Sequence, residues 1–127
     1  MHKSQLAGFI IDCQNADMDK AAQFWSEALG FPRQYTKDPA EANYELLQTG
    51  PNNLHIELQD VDHPSRVHID IETDDIEAEV ARLKKLGAKR LKAIKGWVVM
   101  EAPTGHRFCV VRPQRARFEE DANQWPD

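Results

Sequence analysis

The chain has 127 residues, of which 29% are charged, and a formal net charge of −5. This length fits a single domain with a modest hydrophobic core. Charges of both signs without a basic stripe argue against nucleic acid and membrane surfaces as partners, and the apolar runs are far shorter than the roughly 20 residues that a membrane-spanning helix needs. We therefore expect a soluble, cytoplasmic protein.

The first half of the chain is predicted to form a strand, a helix and three further strands. Met1–Gln5 is expected to be a polar leader, and Leu6–Cys13 has the apolar, β-branched character of a buried strand. Asp17 stands where a helix N-cap belongs, and Gly30 stands where the helix should end. Strands are then predicted at 31–37, 43–49 and 54–59, with a turn at Asp38-Pro39.

The stretch Arg66–Glu72 alternates strictly between polar and apolar residues, which is typical of a half-buried strand. Alternate side chains of a strand point to opposite faces of the sheet. We expect the apolar set to face the core and the polar set to be the place for chemistry. The apolar set is Val67, Ile69 and Ile71, and the polar set is Arg66, His68, Asp70 and Glu72.

The second half repeats the plan of the first at an offset of about 57 residues. Asp74-Asp75 should cap a second helix that stops at Gly87, and strands are predicted at 89–94, 97–101 and 107–112. The predicted fold is α+β, with two βαβββ modules in tandem that form a curled mixed sheet around a central cavity. A single domain would span 1–113, with modules at about 6–61 and 65–112.

Residues 114–127 are predicted to be a C-terminal tail without periodicity. Either the tail is disordered, or Phe118 and Trp125 anchor it on the domain or on a second subunit. The sequence leaves both alternatives open.

Several short motifs occur in a fixed order along the repeat. The first module contains Phe24-Trp25 and Ala28-Leu29-Gly30, and the second contains Val67–Ile71, Leu86-Gly87-Ala88 and Pro103–Phe108. In this order and spacing, over about residues 6–112, the chain resembles the glyoxalase and bleomycin-resistance group, the vicinal oxygen chelate superfamily. The resemblance implies the duplicated βαβββ fold and a small-molecule site.

The resemblance also implies a divalent metal held by residues on the first, fourth, fifth and eighth strands. His68 corresponds to the fifth-strand ligand, Glu57 to the fourth-strand acid and Cys109 to the last-strand position, three residues after His106. The first-strand position falls on Gly8 or Ile10, neither of which has a ligating side chain. Two ligands typical of the family are therefore replaced.

The sequence leaves the cofactor open. A set of Glu57, His68 and Cys109 suits zinc, while manganese, iron or nickel are alternatives, and Asp12 or Asp70 could substitute as donors. A ligand cavity without metal is the favoured interpretation, and a plain solvated sheet face is a further alternative.

Candidate catalytic and ligand-binding residues lie on the same strands. His68, with Glu57 beside it, could act as general acid or base. Arg107 could hold an anionic group, as could Arg66, and Asp70 could contact the ligand. Trp97 and Phe108 could form an apolar wall, although either could instead be a core residue. Cys13 and Cys109 are most simply buried thiols, with a disulfide as an alternative.

These observations favour a glyoxalase-like protein, expected to be a homodimer, that holds a small organic ligand in a polar cavity. It could be a metal-dependent lyase or isomerase acting next to a carbonyl. It could equally be a metal-free protein that binds or sequesters a drug-like molecule. A weaker alternative is an interaction module that acts through its tail.

Overall fold

The computed structural model describes residues 1–34 and 43–126. Its elements follow the βαβββ order twice, so the predicted α+β class is confirmed. The turn at Asp38-Pro39 and the end of the strand predicted at 31–37 lie outside the described residues. None of the helices in the described ranges is both long and apolar enough to cross a membrane. The elements are β1 (His2–Gln14), α1 (Met18–Leu29), β2 (Arg33–Gln34), β3 (Tyr44–Leu47), β4 (His55–Val61), β5 (Arg66–Thr73), α2 (Ile76–Lys85), β6 (Lys89–Ile94), β7 (Trp97–Glu101), β8 (Arg107–Val111), α3 (Phe118–Asp121) and β9 (Asn123–Trp125).

The chain divides into two compact units. Phe9–Val67 forms the 9–67 unit, and Met1–Gly8 joins His68–Asp127 in the 68–127 unit. The strand order is β2-β3-β4-β1 in the first and β1-β5-β8-β7-β6 in the second, where β9 also pairs with β1. Strands β5 and β8 are parallel, whereas β7 is antiparallel to β6 and β8, so the sheet is mixed as predicted.

Helix α1 of the 9–67 unit begins and ends where the sequence predicts. The Asp17 carboxylate accepts the backbone N–H groups of Asp19 and Lys20 at 3.1 and 3.2 Å, which pairs two donors that have no partner within the helix. Gly30 ends the helix with a φ of 79°, a left-handed conformation that favours glycine. The helix packs through Ala22 on the buried side chains of β3 and β4.

Helix α2 covers one face of the sheet in the 68–127 unit. Asp75 caps the helix by accepting the N–H of Ala78 at 3.0 Å. Ile71 of β5 packs against the core beneath the helix. The opposite face of these strands does not contact α2. The buried core consists of Val80, Leu83, Ala88, Val98, Met100, Phe108 and Val110.

The prediction that Met1–Gln5 is a polar leader is wrong, because β1 already begins at His2. His2 and Ser4 are buried polar residues with distant partners: His2 Nε2 lies 2.8 Å from Glu79 Oε1, and Ser4 Oγ accepts the indole N–H of Trp125 at 2.8 Å. Buried polar groups are tolerated when they are hydrogen-bonded. These partners are 77 and 121 residues away in the sequence, and a local pattern cannot reveal them.

The predicted orientation of β5 is wrong in part. Ile71 does pack on the core, but Ile69 is 43% exposed, and Val67, at the end of the 9–67 unit, is 59% exposed. Conversely, Glu72 is fully buried, because its carboxylate accepts the backbone N–H groups of Gln114 and Arg115 at 2.6 and 3.0 Å. Alternation predicts which side chains share a face, whereas the burial of Glu72 depends on its contacts with the C-terminal segment.

The C-terminal segment contains the short helix α3 and strand β9, which pairs with β1 in the register His2↔Trp125. Phe118 is buried, and the Trp125 indole bonds to Ser4. Of the two alternatives that the sequence leaves open, these contacts correspond to a segment anchored on the 68–127 unit.

A buried ion cluster joins both ends of the chain to α2. The fully buried Glu79 carboxylate accepts hydrogen bonds from Arg82 Nε and Nη2 at 2.8 and 2.9 Å. The Arg82 guanidinium in turn lies 4.0 Å from the centre of the Trp125 ring. Burial alone would raise the pKa of Glu79, but hydrogen bonds from Arg82 and His2 outweigh it, so the pKa lies below its ordinary value.

This lowered pKa predicts a loss of stability in acid. A carboxyl group whose pKa is lower in the folded than in the unfolded chain stabilises the fold above its unfolded pKa, and that contribution disappears as the pH falls through its folded value. We expect the free energy of unfolding, measured by urea titration, to fall as the pH drops below the ordinary glutamate pKa of about 4.5. The fall should be smaller in Glu79→Gln, and an identical pH profile in that variant would contradict the assignment.

Candidate functional site

The sheet face opposite α2 in the 68–127 unit carries most of the predicted site residues. Because Ile71, Phe108 and Val98 lie in or against the core, their strand neighbours point to the opposite face. Register connects these neighbours: Cys109 pairs with Asp70 on β5 and with Val99 on β7. We name this surface the β5–β8 face. Its side chains are His68, Asp70, Glu72, Lys89, Lys92, Ile94, Trp97, Val99, Glu101, Arg107, Cys109 and Val111.

His68, Asp70 and Cys109 form a compact group at the centre of this face. One potential ligand atom from each residue lies within 4.8 Å of the other two. His68 Nε2 is 3.6 Å from Asp70 Oδ1, and Asp70 is only 6% exposed. Strand geometry creates the group: Asp70 follows His68 by two positions on β5, and Cys109 is its neighbour on β8.

These residues fit a zinc-type metal ion. Imidazole, thiolate and carboxylate are its common protein ligands, and bonds of about 2.0–2.3 Å in a tetrahedron place ligand atoms about 3.3–3.8 Å apart. The 3.6 Å between His68 Nε2 and Asp70 Oδ1 falls in that range. The ligand atoms of the three residues are at most 4.8 Å apart, so they would have to move only about 1 Å closer together to reach tetrahedral spacing. Three protein ligands leave a fourth position for a ligand or water, as in catalytic rather than structural zinc sites.

Glu57, the acid expected beside His68, lies on β4 of the 9–67 unit. Its Oε2 is 3.4 Å from Nε2 of His55, and both side chains are mostly buried. The group that the structure describes around His68 therefore contains Asp70, one of the substitute donors that the sequence offers. The sequence feature that indicates Asp70 as a neighbour of His68 is its position two residues later on the same strand.

Three other candidate residues of the 9–67 unit are packed in its interior or paired with a neighbouring side chain. Ile10 is buried and apolar, and the buried Asp12 lies 3.8 Å from Arg66, measured from Oδ2 to Nε. Cys13 packs against the core of this unit, and burial raises the pKa of its thiol. Cys13 and Cys109 do not form a disulfide with each other, so the disulfide alternative is wrong.

Arg107 and Trp97 share the β5–β8 face with Cys109. Arg107 is exposed and precedes Cys109 by two positions on β8, and Trp97 is half-buried on β7. Neither side chain has a hydrogen bond or ion pair with any residue in 1–34 or 43–126. Phe108, the other candidate for an apolar wall, lies on the opposite face in the core of the unit.

The role of Glu72 is not apparent from the sequence. Gln5 Nε2 donates to its Oε2 at 2.6 Å, while the amides of Gln114 and Arg115 bond to its other oxygen. Glu72 thus fastens the start of the C-terminal segment at one end of the β5–β8 face. This contact is visible only in the folded structure, because the segment returns to β5 from 42 residues later in the sequence.

Comparison with known proteins supports the fold. Residues 8–111 match the glyoxalase-like domain. A comparison with curated protein sequences gave no match. A hypothetical protein from Bacillus halodurans is similar, with a TM-score of 0.65 and 15% identity, over 98% of this chain and 99% of the other. Methylmalonyl-CoA epimerase from Mycobacterium tuberculosis is also similar, with a TM-score of 0.61 and 16% identity, over 85% and 89% of the two chains.

A variant of homoprotocatechuate 2,3-dioxygenase from B. fuscum has a TM-score of 0.59 and 16% identity to this chain. The match covers 88% of this chain but 33% of the dioxygenase, so this chain spans about a third of that enzyme. At these identities the solved structures support the fold alone. The match over residues 8–111 shows that this chain belongs to the glyoxalase-like domain family, and the repeated βαβββ order agrees with it.

Proposed function

We propose that this chain is a glyoxalase-like protein that binds a small organic ligand over a zinc-type metal centre formed by His68, Asp70 and Cys109. The observation that carries the proposal is the proximity of three ligand atoms of matching chemistry, within 4.8 Å of one another on the β5–β8 face. The metal-free cavity that the sequence favours does not account for this combination of donors.

The chain's own residues would hold and orient such a centre. Strands β5 and β8 are adjacent and hydrogen-bonded, so the three donors stand on rigid elements rather than on loops. A bound zinc ion would polarise a carbonyl or hydroxyl oxygen of the ligand. That chemistry suits a lyase or isomerase acting next to a carbonyl, and one of the similar solved proteins, methylmalonyl-CoA epimerase, is an isomerase by name.

Two features support a small organic molecule as the ligand. A similar solved protein, methylmalonyl-CoA epimerase, has its structure in complex with methylmalonyl-CoA. In this chain, Arg107 and Trp97 flank the donor group without partners in the described residues. The catalytic roles of His68 and Glu57 and the homodimer stay predictions.

A zinc titration of two variants separates this donor set from the one implied by the family resemblance. We expect metal-stripped protein to bind about one zinc per chain in competition with a chromophoric chelator. Asp70→Asn should weaken binding at least about tenfold, because an amide is a poorer zinc ligand than a carboxylate. Glu57→Gln should bind zinc like the original chain. The opposite pattern, with Glu57→Gln impaired and Asp70→Asn unaffected, would show that Glu57 is the ligand and overturn the proposal.

A further inference from the structure

The β5–β8 face places different chemistry on the two sides of the metal-ligating group. Arg107 lies two positions before Cys109 on β8, about 7 Å along the strand. On the other side, Trp97 is diagonal to Cys109, because Cys109 pairs with Val99 and Trp97 is two positions from Val99. Diagonal neighbours on a sheet are within reach of an aromatic side chain. A ligand over Cys109 would therefore meet a cation at one end and an indole ring at the other.

The side of the face that carries Arg107 has positive charges that are not neutralised by ion pairs within the described residues. The Arg107 guanidinium has no hydrogen bond or ion pair with the described residues, although Glu101 is its cross-strand neighbour. Lys89 and Lys92 project from the adjoining strand β6 onto the same face, opposite Glu101 and Val99, and they too lack ion pairs within the described ranges. Apart from the metal-ligating group and the clamped Glu72, this face thus carries three cations and one carboxylate. That balance favours an anion.

The apolar end is equally well defined. Trp97 is half-buried and pairs across strands with Ile94, so the two side chains form an apolar surface patch. The indole N–H of Trp97 has no partner in the described part of the chain. An indole ring offers a large rigid contact to a ring or a branched alkyl group, together with one hydrogen-bond donor.

We propose that the ligand of this face is a small organic anion, with a carboxylate that pairs with Arg107 and an aromatic or branched apolar end that packs on Trp97. The guanidinium fork can bind a carboxylate in a bidentate manner. This inference rests on the proposed function, because the middle of the ligand lies over His68, Asp70 and Cys109. It goes further by assigning the chemical class of the ligand from the two flanking side chains.

The test uses three simple probes and calorimetric titration of the zinc-loaded chain. The probes are 3-phenylpropionate, its uncharged amide, and propionate, which lacks the ring. We expect 3-phenylpropionate to bind at least about tenfold more tightly than either of the others. Arg107→Gln should remove the advantage of the acid over the amide, and Arg107→Lys should restore part of it. Trp97→Leu should reduce the advantage of 3-phenylpropionate over propionate.

Arg112→Gln is the matched control, since it removes the same charge just beyond β8, at a position of the opposite parity. It should bind 3-phenylpropionate like the original chain. Equal binding of acid and amide, equal loss in Arg107→Gln and Arg112→Gln, or no binding of 3-phenylpropionate would each overturn the inference.

Zinc affinity measured on the same samples separates this inference from the proposed function. Arg107→Gln should leave zinc affinity unchanged, because Arg107 is not a ligand. If the chain binds zinc tightly but does not prefer 3-phenylpropionate over its amide, only the proposed ligand class is overturned. Failure of the original chain to bind zinc overturns the proposed function, and the inference falls with it.

Discussion

Cys109→Ser is expected to lower the affinity of this chain for zinc at least about a hundredfold, which corresponds to about 2.8 kcal/mol of binding free energy. The thiolate is the softest of the three donors, and a hydroxyl replaces it poorly in a zinc site. The change is small in volume, and Cys109 stands on a strand held by hydrogen bonds on both sides. The fold should therefore survive, and the loss should be confined to the metal.

Competition with a chromophoric chelator measures this affinity, and thermal melts with and without zinc provide a second measurement. A ligand that binds only the folded chain raises its melting temperature, so zinc should stabilise the original chain more than Cys109→Ser. Cys13→Ser is the control, because Cys13 packs against the core of the 9–67 unit. Unchanged zinc affinity in Cys109→Ser would remove this residue from the ligand set.

Glu79→Gln is expected to lower the free energy of unfolding by about 2–3 kcal/mol at neutral pH. Glu79 is fully buried and receives two hydrogen bonds from Arg82, while His2 Nε2 lies 2.8 Å from the same carboxylate. An amide cannot accept all of these bonds, and it leaves the Arg82 cation without its counter-charge. Because Arg82 stacks on Trp125, the loss should also loosen the C-terminal strand.

Urea unfolding of Glu79→Gln beside Glu77→Gln provides the measurement. Glu77 is on the same helix and pairs with Arg90 at 3.0 Å, but its side chain is 73% exposed. Exposed ion pairs contribute little, so Glu77→Gln should cost at most about 0.5 kcal/mol. Equal effects of the two substitutions would show that the Glu79 cluster contributes no more than a surface pair.

The helices and their ends are predictable because the interactions that define them are local. The cap of α1 is a carboxylate that bonds to amides two and three residues later, and Gly30 provides the left-handed residue at the end. The same signals recur at Asp75 and Gly87. A repeat of local signals at a fixed offset is enough to predict the duplicated βαβββ order.

Burial of the strands is not predictable in the same way. Ile69 and Glu72 have the residue types of an inner and an outer position, yet the structure exposes the first and buries the second. Glu72 is buried where the backbone amides of the C-terminal segment bond to its carboxylate, and the indole of the same segment bonds to Ser4 at the start of β1. These partners are 42 and 121 residues apart in the sequence, so no short pattern indicates them.

The candidate site is predictable in part. His68, Asp70 and Cys109 can each be identified as a potential donor from strand periodicity and family resemblance. Their grouping depends on the parallel pairing of β5 with β8, in which Asp70 is the neighbour of Cys109. Strand register is a property of the tertiary fold, and the sequence alone therefore does not distinguish Asp70 from Glu57 as the carboxylate beside His68.

The central claim, a metal centre of His68, Asp70 and Cys109, is tested most directly by the absorption spectrum of the chain loaded with cobalt(II) in place of zinc. A thiolate ligand should give an intense sulfur-to-cobalt charge-transfer band, and a four-coordinate site should give strong visible bands. We expect both in the original chain and in Glu57→Gln, no charge-transfer band in Cys109→Ser, and altered visible bands in Asp70→Asn. A spectrum of weakly absorbing hydrated cobalt, the same in all four proteins, would contradict the claim and leave the metal-free ligand-binding protein as the better account.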